Sequence, residues 1–168
     1  HKGRGGFVIF GPPMVGKSRM ALEVLRREAP GFLLLSWPRT SFPIAALERF
    51  RGERVALLLD DLQELVRQNA VGRVYDAVQM LLHTARALLV IVTCRSGSDQ
   101  DAAMRDFGGL IESLDVFILE PIDVQSAEGQ QFRVFVDHAD QQSSLPATLN
   151  FAQFDGTPGS VLLGLGRR

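Results

Sequence analysis

An α/β fold, doubly wound on a parallel sheet, is predicted by three features of this 168-residue sequence. Five short apolar runs, "FVIF" (7–10), "FLLLS" (32–36), "VALLLD" (55–60), "LLVIVT" (88–93) and "VFILE" (116–120), lack the alternation of a half-exposed strand. They suit parallel strands covered on both faces. Helical patterns lie between them, so the connections read as right-handed crossovers. The turn "GPPMVGKS" (11–18) stands between the first strand and the first helix.

The helices follow in order. From Lys17 to Glu28, Met20, Ala21, Val24 and Leu25 share one face, and Glu23 and Arg27 form an i,i+4 charge pair on another. "PIAALERF" (43–50) is a second, short helix. Val74, Val78, Leu81, Leu82 and Ala85 form the inward stripe of a third, from about Val71 to Ala87. A fourth lies between Asp99 and Ser113, interrupted by Gly108 and Gly109. Past "VFILEPID" the strands stop. Asp123 is the expected N-cap of a helix reaching about His138, with Phe132 and Val136 inward. "QQSSLPATLN" (141–150) reads as a polar linker, and Thr157 and Pro158 open a last helix carrying Val161, Leu162 and Leu165. The expected division is a core over residues 1–120 and a helical lid over residues 121–168. Opening at His1 and closing on "GLGRR", the chain reads as a piece of something longer.

Composition narrows the function classes. Hydrophobic residues make up 46% of the chain, enough for a sizeable core, and runs such as "ALLVIV" (87–92) are far too short to cross a bilayer. A single cysteine, Cys94, excludes an internal disulfide framework and suits a reducing compartment, so a cytoplasmic location is expected. With 18 Lys and Arg against 19 Asp and Glu, the net charge of -1 predicts no strong nonspecific attraction to nucleic acid. His83 and His138 read as helix-surface residues, Trp37 as a packed aromatic and Cys94 as a small buried side chain.

"GPPMVGKS" fits GxxxxGK[ST], a pattern that can wrap a phosphate when a buried strand precedes it and a helix follows. Gly11 and Gly16 permit backbone angles that turn successive N–H groups inward, and the helix start adds its positive end. Lys17 can reach the β- and γ-phosphates, while the Ser18 hydroxyl can ligate Mg2+. The candidate nucleotide-binding residues here are Gly11, Pro12, Pro13, Met14, Val15, Gly16, Lys17, Ser18 and Arg19. Phosphate-loop NTPases of the AAA+ and related types, which this pattern resembles, have a five-stranded sheet in the order 5-1-4-3-2, and the same order is expected here.

In that order the third and fourth strands end at the same sheet edge as the loop. Asp60 is the natural partner of magnesium, directly or through water, and Asp61 can orient or activate the attacking water. An acidic pair by itself reads equally well as a strand end that caps the next helix. Glu64 fits a helix-surface carboxylate better than a catalytic one. "VIVTCR" delivers Thr93 and Arg95 to the γ-phosphate side, where a guanidinium can hold a phosphoryl oxygen and lose it on hydrolysis.

The ordered set "GPPMVGKS", "VALLLDDL", "LLVIVTCR", "FILEPIDVQSAEGQQF" and "DGTPGSVLLGL" resembles the signal-transduction ATPases with numerous domains, called STAND, which include the NB-ARC, NACHT and MalT-like ATPases. "TCR" is similar to that group's "TTR" sensor, and "GTPG" (156–159) to a lid element whose proline packs by the adenine. "DDLQE" departs from the NACHT pattern and fits the NB-ARC or MalT-like side better. The resemblance implies ATP or ADP with Mg2+ as cofactors, base contact by Pro158, effector and sensor domains in a full-length chain, and a nucleotide-dependent homo-oligomer. It implies a regulatory switch in which slow hydrolysis controls lid position. Two other functions fit the motifs: an AAA+-type motor or loader acting on nucleic acid or protein, and a nonhydrolysing nucleotide-binding scaffold.

Overall fold

The five apolar runs form one parallel sheet: β1 (Arg4–Gly11), β2 (Leu33–Ser36), β3 (Arg54–Leu59), β4 (Ala87–Arg95) and β5 (Asp115–Ile118). Their order is β2-β3-β4-β1-β5, as the sequence predicts. The structure, a computed structural model, describes residues 4–37, 43–121, 123, 125, 126 and 130.

Burial separates the central strands from the edges. Val8 to Phe10, Val55 to Leu59, Leu88 and Val90 to Val92 are buried, which explains the unbroken apolar runs. The edge strands depart from the expected cover on both faces. Leu33 and Leu34 of β2 and Val116, Phe117 and Ile118 of β5 are exposed. Within β1, Gly6 marks a close backbone approach. A Cβ built there would lie 2.1 Å from the carbonyl oxygen of Val90, its partner on β4. Gly6→Ala is expected to destabilise the fold by about 1–3 kcal/mol, measured by urea denaturation, because backbone rather than a movable side chain must yield. An unchanged midpoint would contradict this.

Helix α1 (Lys17–Glu28) has the predicted limits and buries Ala21 and Leu25. Met20 does not share that face as expected but is exposed, since the i,i+4 row of Ala21 and Leu25 meets the core and Met20 lies a turn of about 100° away. Glu23 accepts from both Arg26 (2.6 Å) and Arg27 (2.8 Å), and these partners, Arg26 foremost, hold its carboxyl down to about 2. The pairs are exposed and so contribute little to stability.

Residues 44–50 form a 3₁₀ helix that buries Leu47, rather than an α-helix. Helix α2 (Leu62–Arg67) is the helix on which Glu64 was expected, though no apolar periodicity marks its limits. At six residues it is too short for a 3.6-residue period to register. Helix α3 (Val71–Thr84) buries Val74, Ala77, Val78 and Leu81 and stops short of the expected Ala87, because Ala85 is already extended (φ -71°, ψ 149°) and Ala87 opens β4. Helix α4 (Ser98–Ile111) runs through Gly108 and Gly109. Its break falls at Phe107 (φ -115°, ψ 15°), whose buried ring stacks on Tyr75 with centroids 6.0 Å apart. The interruption thus falls one residue before the glycine pair.

The chain divides into two compact units, residues 1–11 with 17–118 and residues 12–16 with 119–168. In the second unit, Met14 (φ 64°) and Gly16 (φ 97°) are left-handed, the conformation expected of a glycine-bearing turn. Asp123 Oδ1 accepts the Gln125 N–H at 2.9 Å, its carbonyl accepts the Ser126 N–H at 3.0 Å, and Gln130 N–H reaches the Ser126 carbonyl at 3.0 Å. These are the bonds of a turn that opens at Asp123. The remaining lid expectations, with the linker, the last helix and Pro158, lie outside the described residues. Among the described residues no helix is long and apolar enough to cross a membrane.

Candidate functional site

Strand register assembles the site. β1 and β4 end side by side, with Gly11 paired to Arg95, and β3 ends one strand further on, with Leu59 paired to Val92. Asp60 and Asp61 therefore leave β3 next to Thr93, and α1 begins at Lys17. All of these groups lie at the C-terminal edge of a parallel sheet, where ligands of open α/β folds bind.

Thr93 is fully buried (0% exposed), so its hydroxyl must find partners inside the protein. It donates to Asp60 Oδ1 at 2.6 Å and accepts the backbone N–H of Asp61 at 2.9 Å. One side chain on β4 thus fixes both acids that follow β3. Asp61 sits in the left-handed region (φ 56°, ψ 58°), which aspartate tolerates better than most residues. That conformation turns its N–H toward Thr93 while its carbonyl accepts the Glu64 N–H at 2.8 Å and opens α2.

Ser18 Oγ, in the first turn of α1, donates to the same Asp60 Oδ1 at 2.6 Å. A hydroxyl and a carboxylate held together offer hard oxygens of the kind Mg2+ takes beside substrate phosphates, so the residues present fit that ion. Lys17 is buried (7% exposed), and its Nζ donates to the Gly11 carbonyl at 2.9 Å. Burial holds its ammonium below the usual lysine range, while the Asp61 carboxylate pulls in the opposite direction. The Arg95 charge is close enough to push the Lys17 value down further. Two cations and two carboxylates therefore share one sheet edge.

The structure brings together Gly11, Lys17, Ser18, Asp60, Asp61, Thr93 and Arg95. Of the remaining sequence candidates, Arg19 is exposed on α1, and Pro12, Pro13, Met14, Val15 and Gly16 belong to the second unit. Glu64 pairs with Arg67 on the surface of α2, as a helix-surface carboxylate should. Sequence reasoning missed Gln63, which is buried (1% exposed) and bridges Asp61 and Arg95. An amide inside the apolar stretch "LLLDDLQELV" was the available signal.

Cys94 is fully buried, and burial pushes its thiol up to about 11. It is expected to resist iodoacetamide at pH 8 in the native protein and to react fully once denatured, as read by intact mass. Rapid native labelling would place it in a different environment.

No protein-family model and no curated protein matches the sequence. Solved structures do. The ORC2 protein of Aeropyrum pernix in its ADP form superposes with a TM-score of 0.61 at 8% identity, over 83% of this chain and 47% of its own. Domain III of the replication initiation protein DnaA of Thermotoga maritima superposes with a TM-score of 0.52 at 18% identity, over 87% of this chain and 66% of its own. The chain thus spans about half of one neighbour and just under two thirds of the other. At these identities the likeness concerns the fold alone, the α/β phosphate-loop fold on a five-stranded parallel sheet.

Proposed function

We propose that this chain is an ATP-binding and ATP-hydrolysing module of AAA+ type, acting within a motor or loader on nucleic acid or protein. The observation that carries the proposal is the convergence of Lys17, Ser18, Asp60, Asp61 and Arg95 at one sheet edge. Lys17 binds the terminal phosphates, and the start of α1 supplies backbone N–H groups. Ser18 and Asp60 hold Mg2+, which when bound neutralises charge developing on the phosphates. Asp61 orients the attacking water and takes up its proton. Thr93, inaccessible between the acids, acts as their brace, and Arg95 contacts the γ-phosphate.

A nucleic acid target is favoured by the neighbours, one of which is a replication initiation protein. The test is ATP turnover with and without DNA, RNA or unfolded protein. Stimulation by one of them supports the proposal, and Mg-ATP hydrolysis absent under all conditions overturns it. A second reading is a STAND-like switch that keeps ADP bound and signals through oligomerisation. Arg95, paired in register with Gly11, suits it as a residue that senses the γ-phosphate. Stoichiometric ADP carried through purification, with unstimulated turnover, would select that reading.

A further inference from the structure

We infer that Gln63 is a positioning residue that holds the Asp61 carboxylate in register with the end of β4 at Arg95. The inference rests on the proposed hydrolytic role of Asp61. Gln63 Nε2 donates to Asp61 Oδ1 at 2.9 Å, and Gln63 Oε1 accepts the backbone N–H of Arg95 at 3.2 Å. The orientation of the amide is dictated by its partners. Reversed, it would set oxygen against carboxylate and N–H against N–H. Both ends are thus committed, and the side chain is 1% exposed.

The bridge completes a continuous path. Ser18 and Thr93 meet on Asp60, Thr93 accepts from Asp61, Asp61 accepts from Gln63, and Gln63 accepts from Arg95. Thr93 orients the backbone of Asp61, whereas Gln63 donates a hydrogen bond to its carboxylate. A carboxylate on a short side chain at a left-handed residue could otherwise swing, and small displacements of a catalytic group are costly. Because the other end of the amide is on the backbone of Arg95, a shift of β4 would carry the carboxylate with it. Burial of so polar a group would be costly if it served only to fill space.

The test measures ATP turnover and KM for the wild type, Gln63→Met, Asp61→Asn and the double variant, with thermal melting to verify folding. Met keeps the volume and removes both hydrogen bonds. The expected result is a kcat lower by roughly 10–100-fold in Gln63→Met with KM within about 2-fold. In the Asp61→Asn background the same change should cost less than about 2-fold, because Gln63 acts through that carboxylate. Gln63→Asn, which keeps the amide but cannot span both partners, should reproduce the loss and serves if Gln63→Met does not fold. Equal fractional losses in both backgrounds, or unchanged kcat, overturn the inference while wild-type turnover leaves the proposed function standing. A wild type that does not hydrolyse ATP under any condition overturns the proposed function and this inference with it.

Discussion

Asp61→Asn is expected to lower ATP turnover by about 10²–10⁴-fold while Mg-ATP still binds, the range lost when a positioned general base is removed. Asparagine preserves the shape of the site. Its carbonyl can still accept from Gln63 Nε2, and its backbone N–H still reaches Thr93 Oγ1. What disappears is the charge that can take a proton. Affinity changes little because Ser18 and Asp60 retain their 2.6 Å contact and Lys17 its place on Gly11. Single-turnover hydrolysis beside equilibrium binding separates the two effects, and equal loss in both would assign Asp61 to binding instead.

Lys17→Ala has its largest expected effect on affinity, a loss of roughly 30-fold to several thousand-fold for ATP and ADP alike. Truncating one member of a buried, hydrogen-bonded charge pair costs about 2–5 kcal/mol. The side chain is already buried and directed to the Gly11 carbonyl, so little ordering is needed on binding. The same burial predicts an opposite effect on the nucleotide-free fold. A lysine whose folded value lies below its unfolded value of about 10.5 is penalised while charged, and the penalty fades as pH rises toward that value. Wild-type stability should therefore gain on Lys17→Met between pH 7 and pH 10. Parallel curves in urea denaturation would show that Lys17 is not under that strain.

Much of the site was legible because its residues are local in sequence or follow from strand order. Gly11, Lys17 and Ser18 occupy one turn, and the strand ends place Asp60, Asp61, Thr93 and Arg95 at the same edge. The role of Thr93 was not legible in that way. A threonine at a strand end can face a ligand or turn inward, and only the register between β3 and β4 shows it buried between two acids. Gln63 was hidden for a related reason. Its helix is six residues long, and its partners are separated from each other by the whole of α3. The exposed edge strands β2 and β5 carry the same apolar composition as the core strands, so composition alone could not tell edge from centre.

The most direct measurement is calorimetric titration of the purified protein with ADP and ATP in the presence of Mg2+, with Lys17→Ala alongside. One saturable site per chain is expected in the wild type, and its loss in the variant. Absence of binding to the wild type, or equal binding to both proteins, would contradict the assignment of this sheet edge as a nucleotide site.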